Sequence, residues 1–322
     1  MRPVSEPSRR GEFRLIVELF APLATHPGAR GLTDDCAYLS LPPDEELVLK
    51  ADAIVAGVHF LTDAAPGHVA QKALRVNLSD LAAKGARPLG YLQTMALPRS
   101  LDDAWLEAYA AGLAADQARY AIPLLGGDIT ATDGPLSISI TVLGAVPRGK
   151  SPLRSGAQAG DRVFVTGTIG DALLGLAVHR GTYAPASAQD RAFLTDRYDL
   201  PLPRLQEGGA LLGIAKGAAD ISDGLVADFG HIAEASGVGI EIDAARVPLS
   251  PAARRAVAAD ATWLPRLLTA GDDYEIAFTA TADPPSAANA TEIGRVIAGQ
   301  GVVVRDAHGR PIPFDKSGYT HF

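Results

Sequence analysis

The chain has 322 residues, 47% of them hydrophobic and 20% charged, and its 29 Lys and Arg against 37 Asp and Glu leave a net charge of −8. That length predicts one large or two ordinary domains with ample apolar material for packed cores, and the acidic balance argues against a general basic surface that binds nucleic-acid phosphates. The single cysteine, Cys36, excludes an intrachain disulfide framework and multi-cysteine metal sites, and with no run near ~20 apolar residues and a polar opening MRPVSEPSRRGEF, a soluble cytoplasmic protein is expected.

Residues 11–24 (GEFRLIVELFAPLA) put Phe13, Ile16, Val17 and Phe20 at helical spacing, the mark of an amphipathic helix. Strands are expected at 47–51, 89–97 and 136–146, the last from its strict polar and apolar alternation. Between them, 67–86 and 102–120 read as Ala-rich helices ended by glycine or by an approaching proline. The Gly-, Pro- and Ser-rich stretch 147–161 sets a domain boundary near residue 150, dividing the chain into 1–149 and 150–322. The second half then predicts a strand at 162–166, the turn GTIGD, a helix from about 171 to 180, a loop-rich piece at 181–203 and a helix at 204–216. A further helix, opened by Ser222 or Asp223 and closed by Gly237, leads into the strand GIEID. The predicted fold class is α+β, in two domains of roughly equal size.

Several acids lie in or beside glycine turns: Asp34 and Asp35 in GLTDDCA, Asp128 in LLGGDIT, Asp220 and Asp223 in ADISDGL, Asp272 and Asp273 in AGDDYEI; Asp52 stands in KADAIVAGVHF. Glycine admits close backbone approach and a carboxylate is a hard oxygen donor, so such clusters suit magnesium with phosphate; each alone is also an ordinary turn or cap residue. Asn77, Asp80 and Lys84 form one polar stripe on an otherwise apolar helix, either a solvated face or a carboxylate aimed into a site. The turn TGTIGD offers backbone N–H groups to an anion, as does the positive end of the helix from Ser222.

The common nucleotide machinery is missing: there is no GxxxxGK[ST] loop and no GxGxxG opening a βαβ unit. Asp228-Phe229-Gly230 mimics a protein-kinase metal motif without its HRD and VAIK companions, and Phe229 reads as core from its spacing with Leu225 and Ile232. No HExxH or GxSxG pattern supports a zinc or serine hydrolase.

In this order, GEF, GLTDDCA, DAIVAGVHF, KALRVNLSDLAAKGARP, LLGGDIT, LRSGAQAGD, TGTIGDA, DISDGL, AGDDYE and KSGYTHF resemble, over nearly the whole chain, the thiamine-monophosphate kinase family of the aminoimidazole-ribonucleotide-synthetase-like superfamily. The resemblance implies two domains of that type in a homodimer paired through the N-terminal sheets. It also implies phosphorylation of thiamine monophosphate to thiamine diphosphate, with ATP as co-substrate and several magnesium ions. By matching position, Asp35, Asp52, Asp80, Asp128, Asp220 and Asp223 would be metal ligands. Gly127, Asp128, Arg154 and Ser222 would contact the nucleotide, and His59, Asp272 and Tyr319 would line the substrate pocket. No catalytic base is expected, because a phosphate monoester with second pKa about 6 is already largely dianionic at neutral pH.

Two departures stand out. Where the family usually carries Ser or Thr before the aspartate of the GVHF segment, this chain has Lys50-Ala51, and the family's Gly-Glu-Asp turn is Gly271-Asp272-Asp273. The competing readings are an ATP-dependent enzyme acting on another small phosphorylated or amide-bearing substrate, and a nucleotide-binding protein without turnover.

Overall fold

The computed structural model describes residues 10–320; His321 and Phe322, the end of the KSGYTHF segment, lie outside them. The chain forms two units: the first runs to Leu81 and resumes over Pro88–Ala145, and the second takes Ala82–Arg87 and the chain from Val146 onward.

The first unit opens with α1 (Glu12–Leu15), which widens into a π-helical turn at Ile16–Phe20 and tightens to a 3₁₀ turn at Ala21–Leu23. Pro22 explains the distortion, since its ring crowds the carbonyl four residues back and it has no N–H to donate. The expected apolar face is split: Phe20 is buried and Ile16 half-buried, while Phe13 and Val17 are 80% and 67% exposed, and Leu15, outside that face, is buried. There follow β1 (Glu45–Val55), α2 (Pro66–Ala83), β2 (Arg87–Pro98), α3 (Asp103–Tyr120), β3 (Leu124–Thr132) and β4 (Ser137–Pro147). The strands form one sheet in the order β1-β4-β2-β3, with β2 and β3 parallel.

β3 was not expected as a strand: its Gly126-Gly127 pair reads as a turn. Gly127 instead lets two strands come close, because a Cβ there would lie 1.9 Å from the Gln93 carbonyl oxygen. One face of β2, carrying Tyr91, Gln93, Met95 and Leu97, is buried. α3 covers it, with Tyr109 donating to Gln93 Oε1 at 2.8 Å and Gln117 to the Tyr91 hydroxyl at 2.9 Å. α2 is locked to α3 by a buried bidentate pair in which Arg75 Nε and Nη2 reach Asp116 at 2.7 and 2.8 Å. Such a pair fixes geometry more surely than it adds stability.

The second unit contains β5 (Arg162–Thr166), α4 (Asp171–His179), α5 (Ala188–Asp199), α6 (Leu205–Ala210), β6 (Ala218–Asp220), α7 (Leu225–Ser236) and β7 (Gly239–Asp243). It ends with α8 (Pro251–Ala259), α9 (Trp263–Thr269), β8 (Ile276–Ala280), β9 (Ala290–Ile297) and β10 (Gly301–Arg305). Its six strands run β10-β7-β9-β5-β8-β6, with only β10 and β7 parallel among the pairs of this sheet. The 181–203 segment is not a plain loop but holds α5, started by Ser187 accepting from Asp190 N–H at 3.0 Å. The helix expected at 204–216 shrinks to α6, where Gly208 packs so near the Ala82 carbonyl that a Cβ would sit 1.9 Å from it. Phe229 is fully buried with Leu225, Ile232, Val163, Val165, Ile240 and Ile242, the core role its spacing predicts. Among the described residues no helix is long and apolar enough to cross a membrane.

Candidate active site

Within the first unit, β1 and α2 present a charged group between them. Alternation along β1 puts Lys50 and Asp52 on one face and Ala51 on the other. The Ala51 side chain therefore points away from the Asp52 side chain. Asp52 is held by its backbone: its N–H donates to Asn77 Oδ1 at 2.9 Å, and Asn77 Nδ2 donates to the Ala73 carbonyl at 3.0 Å. Asn77 is 1% exposed, so the polar stripe on α2 is not a solvated face. Its next member, Asp80, lies 3.1 Å from Lys50 Nζ, which is also 3.2 Å from Asp52. Lys84, the third member, donates to the Ala218 carbonyl at 2.8 Å.

Asp35 and Asp128 line one cavity of about 660 Å³ together with Asp34, Cys36, Gly126 and Gly127. Asp35 follows a 3₁₀ turn and its N–H donates to Asp34 Oδ1 at 2.9 Å; Asp128 stands on β3 opposite Thr94, exposed. His59 is half-buried, and its Nδ1 accepts from Val55 N–H at 3.0 Å. In the neutral ring this leaves the proton on Nε2.

In the second unit, five more of the expected residues gather around the turn joining β6 to α7. Asp220 ends β6 and is 5% exposed. Ser222 and Asp223 follow, half-buried. The Ser222 carbonyl accepts from Asp272 N–H at 2.9 Å and the Asp223 carbonyl from Tyr319 N–H at 3.0 Å, so the substrate candidates Asp272 and Tyr319 are tied by backbone to the nucleotide candidate Ser222 and the metal candidate Asp223. Gly271 makes the first approach possible, since a Cβ there would lie 2.0 Å from the Ser222 oxygen. Asp272 adopts φ +68° and accepts from the Tyr274 hydroxyl at 3.1 Å.

The opening of α7 differs from expectation. Gly224 (φ 129°) is its N-cap, not Ser222 or Asp223; at the other end Gly237 closes it in the left-handed conformation, as expected. Asp228, in the first turn and 1% exposed, reaches back so that Oδ2 accepts from both Asp223 and Gly224 N–H at 3.0 Å. The helix N-terminus thus already holds a carboxylate and leaves Asp223 free of capping duty. Burial, then the charges of Asp220 and Asp223, push the Asp228 carboxyl up to about 7. Asp223, Asp228 and His231 have ligand atoms within 4.8 Å of one another, with His231 Nε2 4.0 Å from Asp223. The sequence does not mark Asp228 as a candidate, since its kinase-like tripeptide reads through the core residue Phe229; its place four residues after Gly224, within reach of the turn, is the available signal.

Three N–H groups of the TGTIGD turn are spent within the protein. Gly170 N–H donates to Asp273 Oδ2 at 2.8 Å, Ile169 N–H to the Pro248 carbonyl at 3.0 Å and Gly167 N–H to the Asn289 carbonyl at 3.4 Å. Asp273 is the structural member of the Asp272-Asp273 pair, 1% exposed, and burial holds its carboxyl well above the usual range. Arg154 is exposed and anchored by its carbonyl to Ser236 Oγ at 3.0 Å. That is the far end of α7, roughly 18 Å from its N-terminus at 1.5 Å per residue, so its backbone stands apart from the Ser222 group.

The candidate ligands in both units offer chiefly carboxylate oxygens, the chemistry that magnesium prefers, and His231 adds a ring nitrogen beside Asp223 and Asp228.

Comparison with known proteins bears on this geometry. The sequence models for the AIR synthase related protein match residues 33–146 with the N-terminal domain and 158–307 with the C-terminal domain. The thiamine-monophosphate kinase of Caulobacter vibrioides is 43% identical, with 96% of this chain and 90% of that protein covered. The crystal structure of thiamine-monophosphate kinase from Stenotrophomonas maltophilia superposes with a TM-score of 0.77 at 39% identity, covering 85% of this chain and 89% of that one. AaThiL, solved in complex with AMPPCP and TMP, superposes with a TM-score of 0.78 at 33% identity, covering 90% and 91%.

Proposed function

The chain belongs to the thiamine-monophosphate kinase family of AIR-synthase-related proteins, and from that membership we propose that it transfers the γ-phosphoryl group of ATP to thiamine monophosphate, giving thiamine diphosphate and ADP. The observation that carries this reading is 43% identity over 96% of the chain. The carboxylates of the resemblance standing on ordered strands, helices and turns add support.

Attack of one phosphate on another is opposed by charge repulsion and needs in-line alignment, so positioning and neutralisation supply most of the catalysis. Asp35, Asp52, Asp80 and Asp128 in the first unit, and Asp220 and Asp223 in the second, would hold magnesium, which when bound neutralises phosphate oxygens. The chain's own residues prepare that task. Asn77 pins the Asp52 backbone. Asp228 shapes the turn that carries Ser222 and Asp223. Gly127 keeps the Asp128 strand bare of a side chain where a nucleotide approaches, and Ser222 and Arg154 donate to phosphate. His59, Asp272 and Tyr319 receive the substrate, with the tyrosine ring suited to stacking on a cationic heterocycle. No side chain takes a proton from the nucleophile, since the acceptor phosphate is already ionised.

We assign dimerisation to residues 1–149, and metal- and ATP-binding residues both to 1–149 and, through Arg154, Asp220, Ser222 and Asp223, to 150–322. The enzyme is a homodimer of the cytoplasm in this reading; Leu47, Leu49 and Leu92 on the open face of the first sheet supply an apolar contact surface. Purified protein given ATP, magnesium and thiamine monophosphate is expected to form thiamine diphosphate and ADP in equal amounts. Asp128→Asn is expected to cut that turnover by orders of magnitude with its thermal melt unchanged. No thiamine diphosphate above background, or ADP release only with other acceptors in a substrate panel, would overturn the assignment.

A further inference from the structure

The ammonium of Lys50 lies between two carboxylates assigned above to metal, 3.2 Å from Asp52 and 3.1 Å from Asp80. Three features of this group matter together. Lys50 and Asp52 share a face of β1 by strand alternation, so the lysine is built toward the pair and not swept there from a loop. Asp52 is fixed by Asn77 and Asp80 by its helix, whereas the lysine head rides on a flexible four-carbon stem. The side chains are 35%, 42% and 20% exposed for Lys50, Asp52 and Asp80, which leaves ions and water access and keeps each pair weak. The buried Arg75–Asp116 pair, at 3% and 1% exposure, shows the opposite arrangement, in which the partner cation cannot be exchanged.

We propose that Lys50 is a tethered cation that occupies the Asp52–Asp80 pair in competition with a divalent ion and so sets the divalent-ion requirement of this site. The proposal rests on the assignment of Asp52 and Asp80 as metal ligands. Lys50 brings one positive charge to two carboxylates and a divalent ion brings two, so a divalent ion still gains by entering; it must first displace the ammonium, which stays within a stem's length and remains beside whatever anion the metal brings. Lys50 is thus placed to hold the two carboxylates near their ligand positions in the metal-free protein, where their mutual repulsion would otherwise part them.

The test is Mn²⁺ binding to the full chain without nucleotide, followed by calorimetry and by the loss of the free-ion electron paramagnetic resonance signal. Lys50→Met, which keeps the stem, and Lys50→Gln as a second variant should bind Mn²⁺ roughly 2- to 30-fold more tightly than wild type, or show one added binding event, the range that two half-exposed ion pairs represent. Lys50→Arg should remain near wild type. Unchanged or weaker Mn²⁺ binding in both uncharged variants would overturn the proposal. Asp80→Asn separates the two levels: if it weakens Mn²⁺ binding while the lysine variants do nothing, only the role of Lys50 fails. If Asp80→Asn also leaves binding unaltered, the ligand assignment fails and the proposal with it.

Discussion

At the scale of single residues, the AGDDYE segment gives its two aspartates different environments. Asp273 is buried and spends Oδ2 on Gly170 N–H, whereas Asp272 is half-buried, on a backbone bent to φ +68°. Tyr274 in the same turn has φ +53°. Left-handed backbone costs a non-glycine residue about 1 to 2 kcal/mol, and such strain gathers where function fixes a side chain's direction. Asp272→Gly relieves that strain while freeing the unfolded chain by about 0.4 to 1 kcal/mol, so the two effects nearly offset. Its melting temperature should match or slightly exceed wild type, while kcat/KM for thiamine monophosphate falls and KM for ATP stays. Full activity in Asp272→Gly would remove Asp272 from the substrate pocket. The residue pattern marks both as candidates and only the family resemblance singles out Asp272, because their physical difference lies in partners about a hundred residues away in the chain.

At the scale of elements, the start of α7 shows how a helix terminus can be spent internally. The N–H groups of Asp223 and of the N-cap Gly224, just ahead of its first residue, go to Asp228, whose carboxyl is raised to about 7 by burial and by Asp220 and Asp223. An acid whose folded pKa lies above its unfolded value binds more protons when folded, so its contribution to stability declines as pH rises between the two values. Below about pH 4, the unfolded pKa, Asp228 is neutral in both states and carries no penalty. Between about pH 4 and 7 the metal-free wild type should lose up to about 4 kcal/mol relative to Asp228→Asn, at 1.36 kcal/mol per pKa unit. Urea denaturation in chelator at pH 4.5 and 8 measures this, and comparing the two pH values removes any constant offset from the amide. A gap between wild type and mutant that does not widen with pH would show that Asp228 ionises freely. Glycine closure of this helix was legible because Gly237 follows the last apolar position; its opening was not, since Asp, Ser and Gly in DISDGL are all good N-caps and only the reach of Asp228 decides among them.

At the scale of the whole molecule, what the sequence disclosed tracks how local the signal was. The alternation of 136–146 and the long Ala-rich helices were found, while β3, β6, β8, β9 and β10 were not, because fully buried or glycine-bearing strands lose the period-two pattern. The four-stranded sheet also carries an inverted pattern that only the fold explains: α3 covers the Tyr91 and Gln93 face, whereas Leu47, Leu49 and Leu92, at 43%, 60% and 40% exposure, stay open. Leucines on an uncovered sheet face are expensive for a monomer and ordinary at an interface between copies. In a two-fold dimer each substitution acts twice, and a buried leucine is worth about 1.5 to 3 kcal/mol, so Leu49→Asp should weaken association by roughly 10² to 10⁴. Light scattering during size exclusion should then show wild type at twice the chain mass and Leu49→Asp at 33.4 kDa, with unchanged far-ultraviolet dichroism. Phe193→Asp, at a 40% exposed position on α5 in the second unit, should leave the dimer intact. A Leu49→Asp protein that remains dimeric would place the contact elsewhere, and a monomeric wild type would end the homodimer reading without touching the chemistry assigned to each chain.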